Sequence, residues 1–433
     1  MTLADTIYKS ISKESKSRFD ELGLPDHFVA PNYDGRSIVN VPSSIVKTFG
    51  GKMRTAPLDP LILGALARGV KRIVFVVVDA LGYDKLNEAL DANPHNGFHA
   101  LLKDGGQLVP LTSVFPSTTT AALTALWSGY TPAEHGFMGY QLFLREFGIR
   151  SQMISFDPAA MDRLGSGQLV AAGLKPEEFL AVPSLPQTLT EYDVPVYNVI
   201  EQPFVKSALS RAQIRGQRET RGFVSSSDMW VTLRAWLEQR KAERALFVAY
   251  WSAVDTIAHH YGPASETIVS EVNNFAYSFE REFLTRLSPA AREGTLFLLT
   301  ADHGQIATPP ADAVYMRDHP KLRDYLLMAY TGDPRAAYLY VRNGELNAAR
   351  DYIETHLANQ FFVLDSQVAL RAGLFGGGKH SPETRYRIGD LTVLPRAHEI
   401  LWERDEPPKM LGRHGGLDAQ EMLVPLIAAR LDA

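Results

Sequence analysis

Four apolar runs in this sequence each stop at residues that can hold a cation or attack an electrophile. "RIVFVVV" (72–78) stops at Asp79, "ALFVAYW" (245–251) leads into Asp255 and His259, and "TLFLLT" (295–300) leads into Asp302 and His303. "QLVPLTSV" (107–114) runs into "FPSTTT", which sets Thr118, Thr119 and Thr120 at the start of an Ala/Leu-rich helical stretch. His414 completes the set in "GRHGG", where glycines leave an imidazole unobstructed. Taken singly, each residue has an ordinary explanation. A threonine before a helix caps free N–H groups, and an Asp after a strand makes a turn. An Asp and a His four apart pair on a helix surface, and a loop histidine is solvated. Taken together, three carboxylates, three imidazoles and an alcohol at strand ends have the donor chemistry of two divalent cation sites beside a nucleophile.

The elements that must position these groups are legible in outline. Nearly continuous apolar runs rich in Val, Leu and aromatics read as strands of a parallel sheet buried on both faces. Helical patterns at 83–92, 120–128, 227–243 and 266–287 alternate with them. That alternation predicts an α/β fold with helices on both faces of the sheet, and ligands of such sheets gather at the carboxyl ends of the strands. Two stretches fall outside a minimal fold of this kind. Residues about 140–225 read as a loop-rich insertion, punctuated by "SFDPAAMDRLGSGQ" and "AVPSLPQT". Residues 325–404 read as a small inserted α+β cap: strand "AAYLYVR", helix "ARDYIETHL", then a strand pair at "LTVLP" and "EILWE". The core is then expected over 1–324 and 405–433.

The ordered set "FVVVDALG", "STTTAALTALWSGYTPAEHG", "DTIAHH", "ADHG" and "RHGG" resembles the alkaline phosphatase superfamily, in particular its type I phosphodiesterase/nucleotide pyrophosphatase branch. The resemblance spans roughly 70–140, 245–305 and 410–430. It implies an alkaline-phosphatase-like sandwich with a mostly parallel central sheet flanked by helices. It also implies two divalent metal ions, zinc or alternatively manganese. One would be held by Asp255, His259 and His414, the other by Asp79, Asp302 and His303 with the nucleophile oxygen. Spacing from Pro116 and Gly129 in the family pattern assigns the nucleophile to Thr119 and leaves Thr118 and Thr120 as cap or packing residues. His259 rather than His260 faces Asp255 if the segment is helical. The activity implied is cleavage of phosphodiester or pyrophosphate bonds in a small-molecule phosphate ester through a phospho-threonine intermediate. The alternatives are a phosphomonoesterase, a metal-dependent phosphomutase, or a homologue that binds metal or ligand without turnover. Two positions depart from the nucleotide-cleaving pattern. Thr120 stands where an aromatic residue often stacks on a base, and Tyr140 stands where an Asn often binds a phosphoryl oxygen; Tyr140 could supply an O–H instead.

Composition narrows the remaining classes. With 433 residues, 45% hydrophobic and 21% charged, the chain has the make-up of a globular protein. A net charge of −5 gives no basic field for nucleic-acid polymers or anionic membranes. The absence of cysteine rules out disulfides and thiolate metal sites. The polar N-terminus lacks an apolar signal-peptide core and no apolar stretch is long enough to span a bilayer, so a cytoplasmic location is expected. Two zinc ions, three aspartates and an alkoxide sum to about zero charge, which suits a monoanionic diester better than a dianionic monoester. No Lys or Arg lies between residues 104 and 144, although Arg145, Lys379 or Arg385 could fold back toward the threonines.

Overall fold

The computed structural model describes residues 2–103, 105–159 and 167–433; residues 160–166, within the punctuated stretch at 155–168, lie outside them. The central sheet has seven strands: β1 (Arg72–Val78), β2 (Gln107–Thr112), β3 (Val196–Glu201), β4 (Glu219–Phe223), β5 (Ala245–Trp251), β6 (Thr295–Thr300) and β7 (Leu423–Arg430). They lie in the order β2–β7–β6–β1–β5–β3–β4. All pairings among β1, β3, β4, β5 and β6 are parallel, while β7 runs antiparallel to both β2 and β6. The expected sheet is therefore mostly parallel, with one reversed strand between two of the four recognised runs. Every residue of β1 and β6 is buried, because helices cover both faces and each strand must be apolar on both sides.

The helices that bear on the site are α1 (Tyr83–Ala92), α2 (Thr119–Ser128), α3 (Ser226–Gln239), α4 (Ala253–Tyr261) and α5 (Glu266–Ser278). Helix α3 stops short of the expected 243, since residues 241–244 are exposed and bury no face. The pattern expected as one helix over 266–287 is α-helical only to Ser278, then widens through a π turn at Phe279–Phe283 and tightens into a 3-10 turn at Leu284–Arg286. That irregular turn lets Phe279 and Phe283 both reach Trp230 on α3, with ring centroids 5.1 and 5.5 Å away.

Two sequence expectations are corrected by the sheet topology. The stretch at 140–225 is not only loop: it supplies β3 and β4 to the central sheet. It also supplies Gln141–Leu144, Ile149–Gln152 and Asp157–Pro158 to a second seven-stranded sheet. Strands Thr331–Asp333, Ala336–Leu339, Phe361–Asp365 and Leu391–Pro395 complete that second sheet. "LTVLP" does not pair with "EILWE". It lies between Phe361–Asp365 and Ala336–Leu339, whereas Ile400–Trp402 pairs in parallel with Ala313–Tyr315. No helix among the described residues is long and apolar enough to cross a membrane.

Candidate active site

Register brings the strand ends together. Val78 is level with Trp251 on one side of β1, and Val77 is level with Thr300 on the other. Asp79, Asp255 and Asp302 therefore leave the sheet along one edge. Asp79 stays in line by donating its N–H to the Trp251 carbonyl at 2.8 Å. The next residue, Ala80, then turns into the left-handed region with φ 58°, a conformation that costs an alanine roughly 1 kcal/mol or more. The turn aims its N–H at Asp302 Oδ1, 3.1 Å away. The same oxygen accepts the N–H of His303 at 3.0 Å. After His303 the chain packs so closely that a Cβ on Gly304 would stand 2.1 Å from the Gln420 carbonyl oxygen. Only glycine fits there.

Two groups of donors result. Asp79, Asp302 and His303 are all buried, and their ligand atoms lie within 4.8 Å of one another. Tyr250 donates its hydroxyl to Asp79 Oδ2. Asp79 Oδ1 and Asp302 Oδ2 are buried with no hydrogen-bond partner; they lie 3.5 and 3.3 Å from His303 Nε2. Burial, and then the Asp302 and Asp255 carboxylates, push the Asp79 carboxyl well above its ordinary range. Buried anionic oxygens without donors are expensive unless a cation compensates them. The second group, Asp255, His259 and His414, satisfies the same distance limit and is half-buried. His259 Nε2 is 3.3 Å and His414 Nε2 3.7 Å from Asp255 Oδ1. His260 is exposed, its ring edge-on to Tyr261, and stands outside the group.

The imidazoles are oriented for ligation. His259 Nδ1 faces the Gly412 carbonyl at 2.7 Å, His303 Nδ1 that of Gly304 at 3.0 Å, and His414 Nδ1 that of Ser117 at 3.1 Å. A carbonyl only accepts, so each Nδ1 carries a hydrogen and each ring turns its Nε2 toward the carboxylates. Burial, with His303 and His259 alongside, drives His414 well below the usual imidazole value and keeps it neutral. The donor chemistry of both groups thus fits divalent cations bound through oxygen and nitrogen.

The three threonines separate cleanly. Thr118 is the N-cap residue of α2 but makes no side-chain cap; its hydroxyl donates to Asp333 Oδ1 at 3.1 Å. Thr120 donates to the Gly139 carbonyl at 2.8 Å, and both residues are buried. Thr119 alone turns its Oγ1 to a donor group, standing 3.0 Å from His303 Nε2. The preceding loop is laced to the His414 loop, where Ser117 donates its N–H to the Gly415 carbonyl and its hydroxyl to that of Gly416. Gly415 has φ +124°, a conformation that favours glycine.

Other expectations fare differently. The Tyr140 hydroxyl donates to Gln152 at 2.7 Å and its N–H to Asp333 at 3.1 Å. Its O–H is therefore not offered to a substrate beside Thr119, as its sequence position had suggested. Arg145 does not fold back either, since it makes a two-point ion pair with Glu383 at 2.8 Å. Arg385 packs its guanidinium over Tyr386, 4.4 Å from the ring centroid. Neither arginine, nor Lys379, lines the cavity at Thr119. Three supporting residues escaped sequence reading. Tyr250 and Gln305, whose amide reaches Asp255 Oδ1 at 2.5 Å, lie inside motifs that were recognised. Asp333 comes from the second sheet and carries no local signal. Burial pushes its carboxyl up to about 6.

A cavity of about 220 Å³ opens beside Thr119, with Asp79 and Asp255 in its wall. The comparisons agree with this architecture. The murine ectonucleotide pyrophosphatase / phosphodiesterase 5 is similar in structure, with a TM-score of 0.59 at 18% identity over 82% of this chain and 87% of that one. An inactive form of the murine protein, carrying a threonine-to-alanine substitution and complexed with AMP, matches with a TM-score of 0.58 at 18% identity, over 83% and 88%. Phosphonoacetate hydrolase from Sinorhizobium meliloti 1021, in complex with phosphonoacetate, matches with a TM-score of 0.60 at 19% identity over 83% and 90%. Comparison with curated proteins found no match. The model of the family described as type I phosphodiesterase / nucleotide pyrophosphatase matches residues 73–417. That span carries all six acidic and imidazole groups and Thr119, and the chain belongs to this family of hydrolytic enzymes.

Proposed function

We propose that the protein cleaves phosphodiester or pyrophosphate bonds in a small-molecule substrate, with Thr119 as the nucleophile and two divalent cations, zinc or manganese, as cofactors. Asp79, Asp302, His303 and the Thr119 oxygen would hold one cation, and Asp255, His259 and His414 the other. Bound there, such cations polarise phosphoryl oxygens and lower the pKa of nearby hydroxyl groups toward neutrality. The observation that carries the reading is the selection among the threonines: only the Thr119 Oγ1 is turned to a donor group, at His303, and it shares a cavity wall with Asp79 and Asp255.

Thr119 Oγ1 gives its proton to solvent and attacks phosphorus. The new O–P bond forms as the bond to the leaving oxygen breaks, and that oxygen keeps the electron pair and takes a proton from water. Water then attacks the phospho-threonine and returns the hydroxyl. Helix α2 places Thr119 in its first turn, where its N-terminal partial charge favours the anion that develops. The Ser117–Gly416 lacing fixes the approach of this hydroxyl to the His414 loop. The inactive murine relative, in which a threonine is replaced by alanine, supports the assignment. No Lys or Arg is among the described residues lining the cavity, which favours a monoanionic diester over a dianionic monoester.

The test is turnover of bis(p-nitrophenyl) phosphate against p-nitrophenyl phosphate, with zinc and then manganese. Thr119→Ala should lose diester turnover by about 10⁴-fold or more while elemental analysis finds its metal content unchanged. Wild-type turnover in that variant would remove Thr119 from the reaction, and a strong monoester preference would overturn the diester assignment.

A further inference from the structure

The cavity beside Thr119 is built for something uncharged. Thr119, Leu123 and Trp127 succeed one another at intervals of four along α2, so the hydroxyl and an apolar stripe share one helix face. Ile200 and Phe204, at and just beyond the end of β3, and Ile154 and Ile214 complete an apolar wall. Phe204 also packs on Tyr250, ring centroids 6.2 Å apart, and Tyr250 in turn holds Asp79. The apolar wall is thus continuous with the support of the inner donor group.

Among the polar side chains in this wall, Ser207, Ser252 and Gln213 each donate a hydrogen bond within the protein. Ser207 donates its hydroxyl to Ser210 at 2.9 Å and accepts the Ser210 N–H at 3.1 Å. Ser252 donates to Glu201 at 2.7 Å, and the Gln213 amide donates to Thr124 at 2.9 Å. A purine or pyrimidine edge laid against Leu123, Trp127, Ile154, Ile200 and Phe204 would find no partner for its own donors and acceptors in those side chains, which is unfavourable. A second anionic group would find no cation from the described side chains lining the wall. The space, about 220 Å³, exceeds the roughly 150 Å³ of an apolar cavity that takes up benzene.

We propose that this cavity binds an uncharged apolar ester group on the scissile phosphorus, a single aryl ring or an alkyl chain of about six carbons. The proposal rests on the hydrolytic reading for the orientation of the phosphorus, and it sets the substrate class as an alkyl or aryl phosphodiester rather than a nucleotide.

The experiment has two arms. In the first, metal-loaded wild type hydrolyses p-nitrophenyl diesters whose second ester group is methyl, hexyl, phenyl or 5′-thymidylyl. Each added methylene should raise kcat/KM about fourfold until the space is filled, so hexyl and phenyl should exceed methyl and thymidylyl by roughly 30-fold or more. Leu123→Asn should reduce the phenyl-to-methyl ratio about tenfold or more. Ile154→Asn, at a half-buried position, makes the same test if the first variant does not fold, with thermal melting as the check. In the second arm, calorimetry measures phenylphosphonate, hexylphosphonate and methylphosphonate binding to the Thr119→Ala protein, with the first two expected to bind more tightly. Methyl or thymidylyl equalling the apolar esters, with no preference among the phosphonates, overturns the proposal while leaving hydrolysis intact. Failure to hydrolyse any diester, with the phosphonate preference retained, overturns the hydrolytic reading and supports the cavity assignment.

Discussion

The two donor groups have nearly the same chemistry and quite different surroundings. Asp79, Asp302 and His303 have side chains 0–3% exposed, whereas those of Asp255, His259 and His414 are 10–20% exposed. The inner group has two carboxylates and one imidazole, built into adjacent strand ends and fixed by Tyr250 and the Ala80 N–H. The outer group has one carboxylate and two imidazoles, carried on α4 and on the loop after Ile306–Ala307's partner strand, Gly412–Arg413. The inner oxygens therefore bear a desolvation cost that water can partly relieve at the outer group. Occupancy by a cation should matter to folding stability at the inner group and mainly to turnover at the outer one.

Asp302→Asn tests this difference most severely. The Asn carbonyl can keep both backbone N–H bonds now made to Asp302 Oδ1, while the buried oxygen that lacks a donor becomes an amide. Turnover should fall by about 10³-fold or more, as when a group that stabilises transition-state charge is lost. The stability effect has the opposite sign in chelator. The metal-free variant should melt above metal-free wild type, because the carboxylate that most strongly raises the Asp79 pKa is gone. About 2 °C per kcal/mol is the expected scale. A metal-free variant that melts lower would show that the inner oxygens are not under charge stress.

A smaller effect separates the groups by exchange. Chelator added stepwise should remove the outer cation first, giving a species with one metal ion and an unchanged melting temperature before the second is lost. Gln305→Ala, which deletes the amide donated to Asp255, should weaken the outer site by roughly 10–100-fold and leave the inner one untouched. Calorimetric metal titration reads both affinities. Simultaneous loss of the two cations would merge the groups into a single cooperative site.

The same contrast governs what could be read from sequence. Asp79, Asp255, Asp302 and His303 follow closely on strands buried in the central sheet, so an apolar run followed by polar chemistry marks them directly, whereas His414 is marked only by its Gly-rich loop. The runs at β1, β5 and β6 appear unbroken because helices cover them on both sides. Strand β4, "ETRGF", is at the sheet edge and alternates between exposed and half-buried until Phe223; its polar composition reads as loop. Strand β3 is a six-residue run inside a Pro- and Gly-punctuated region. The second sheet was hidden for a different reason. It joins Gln141 to Gly332, a pairing across nearly two hundred residues that no local pattern encodes. For the same reason Asp333, which accepts from Thr118, could not be associated with the threonines. Local chemistry was legible, and the long-range supports that aim it were not.

The smallest predicted effect uses a histidine outside both groups as a control. His135 is buried, but its Nδ1 accepts the Phe137 N–H at 3.1 Å, so the hydrogen sits on Nε2, the reverse of the arrangement in His259, His303 and His414. Burial lowers its pKa to about 3 from the ordinary 6.5. In this state the unfolded chain binds the proton more readily than the folded one, so the stability contribution is complete above pH 6.5 and is lost as pH falls toward 3. Between pH 7 and 5.5 the loss from this residue should be about 1 kcal/mol. Urea unfolding of the metal-free protein at the two pH values, in wild type and in His135→Gln, isolates it: the variant should lose about 1 kcal/mol less stability than wild type over this interval. Equal pH dependence in the two proteins would mean that His135 takes up its proton in the folded state as easily as in the unfolded one. The reversed ring would then no longer distinguish a structural histidine from those of the two donor groups.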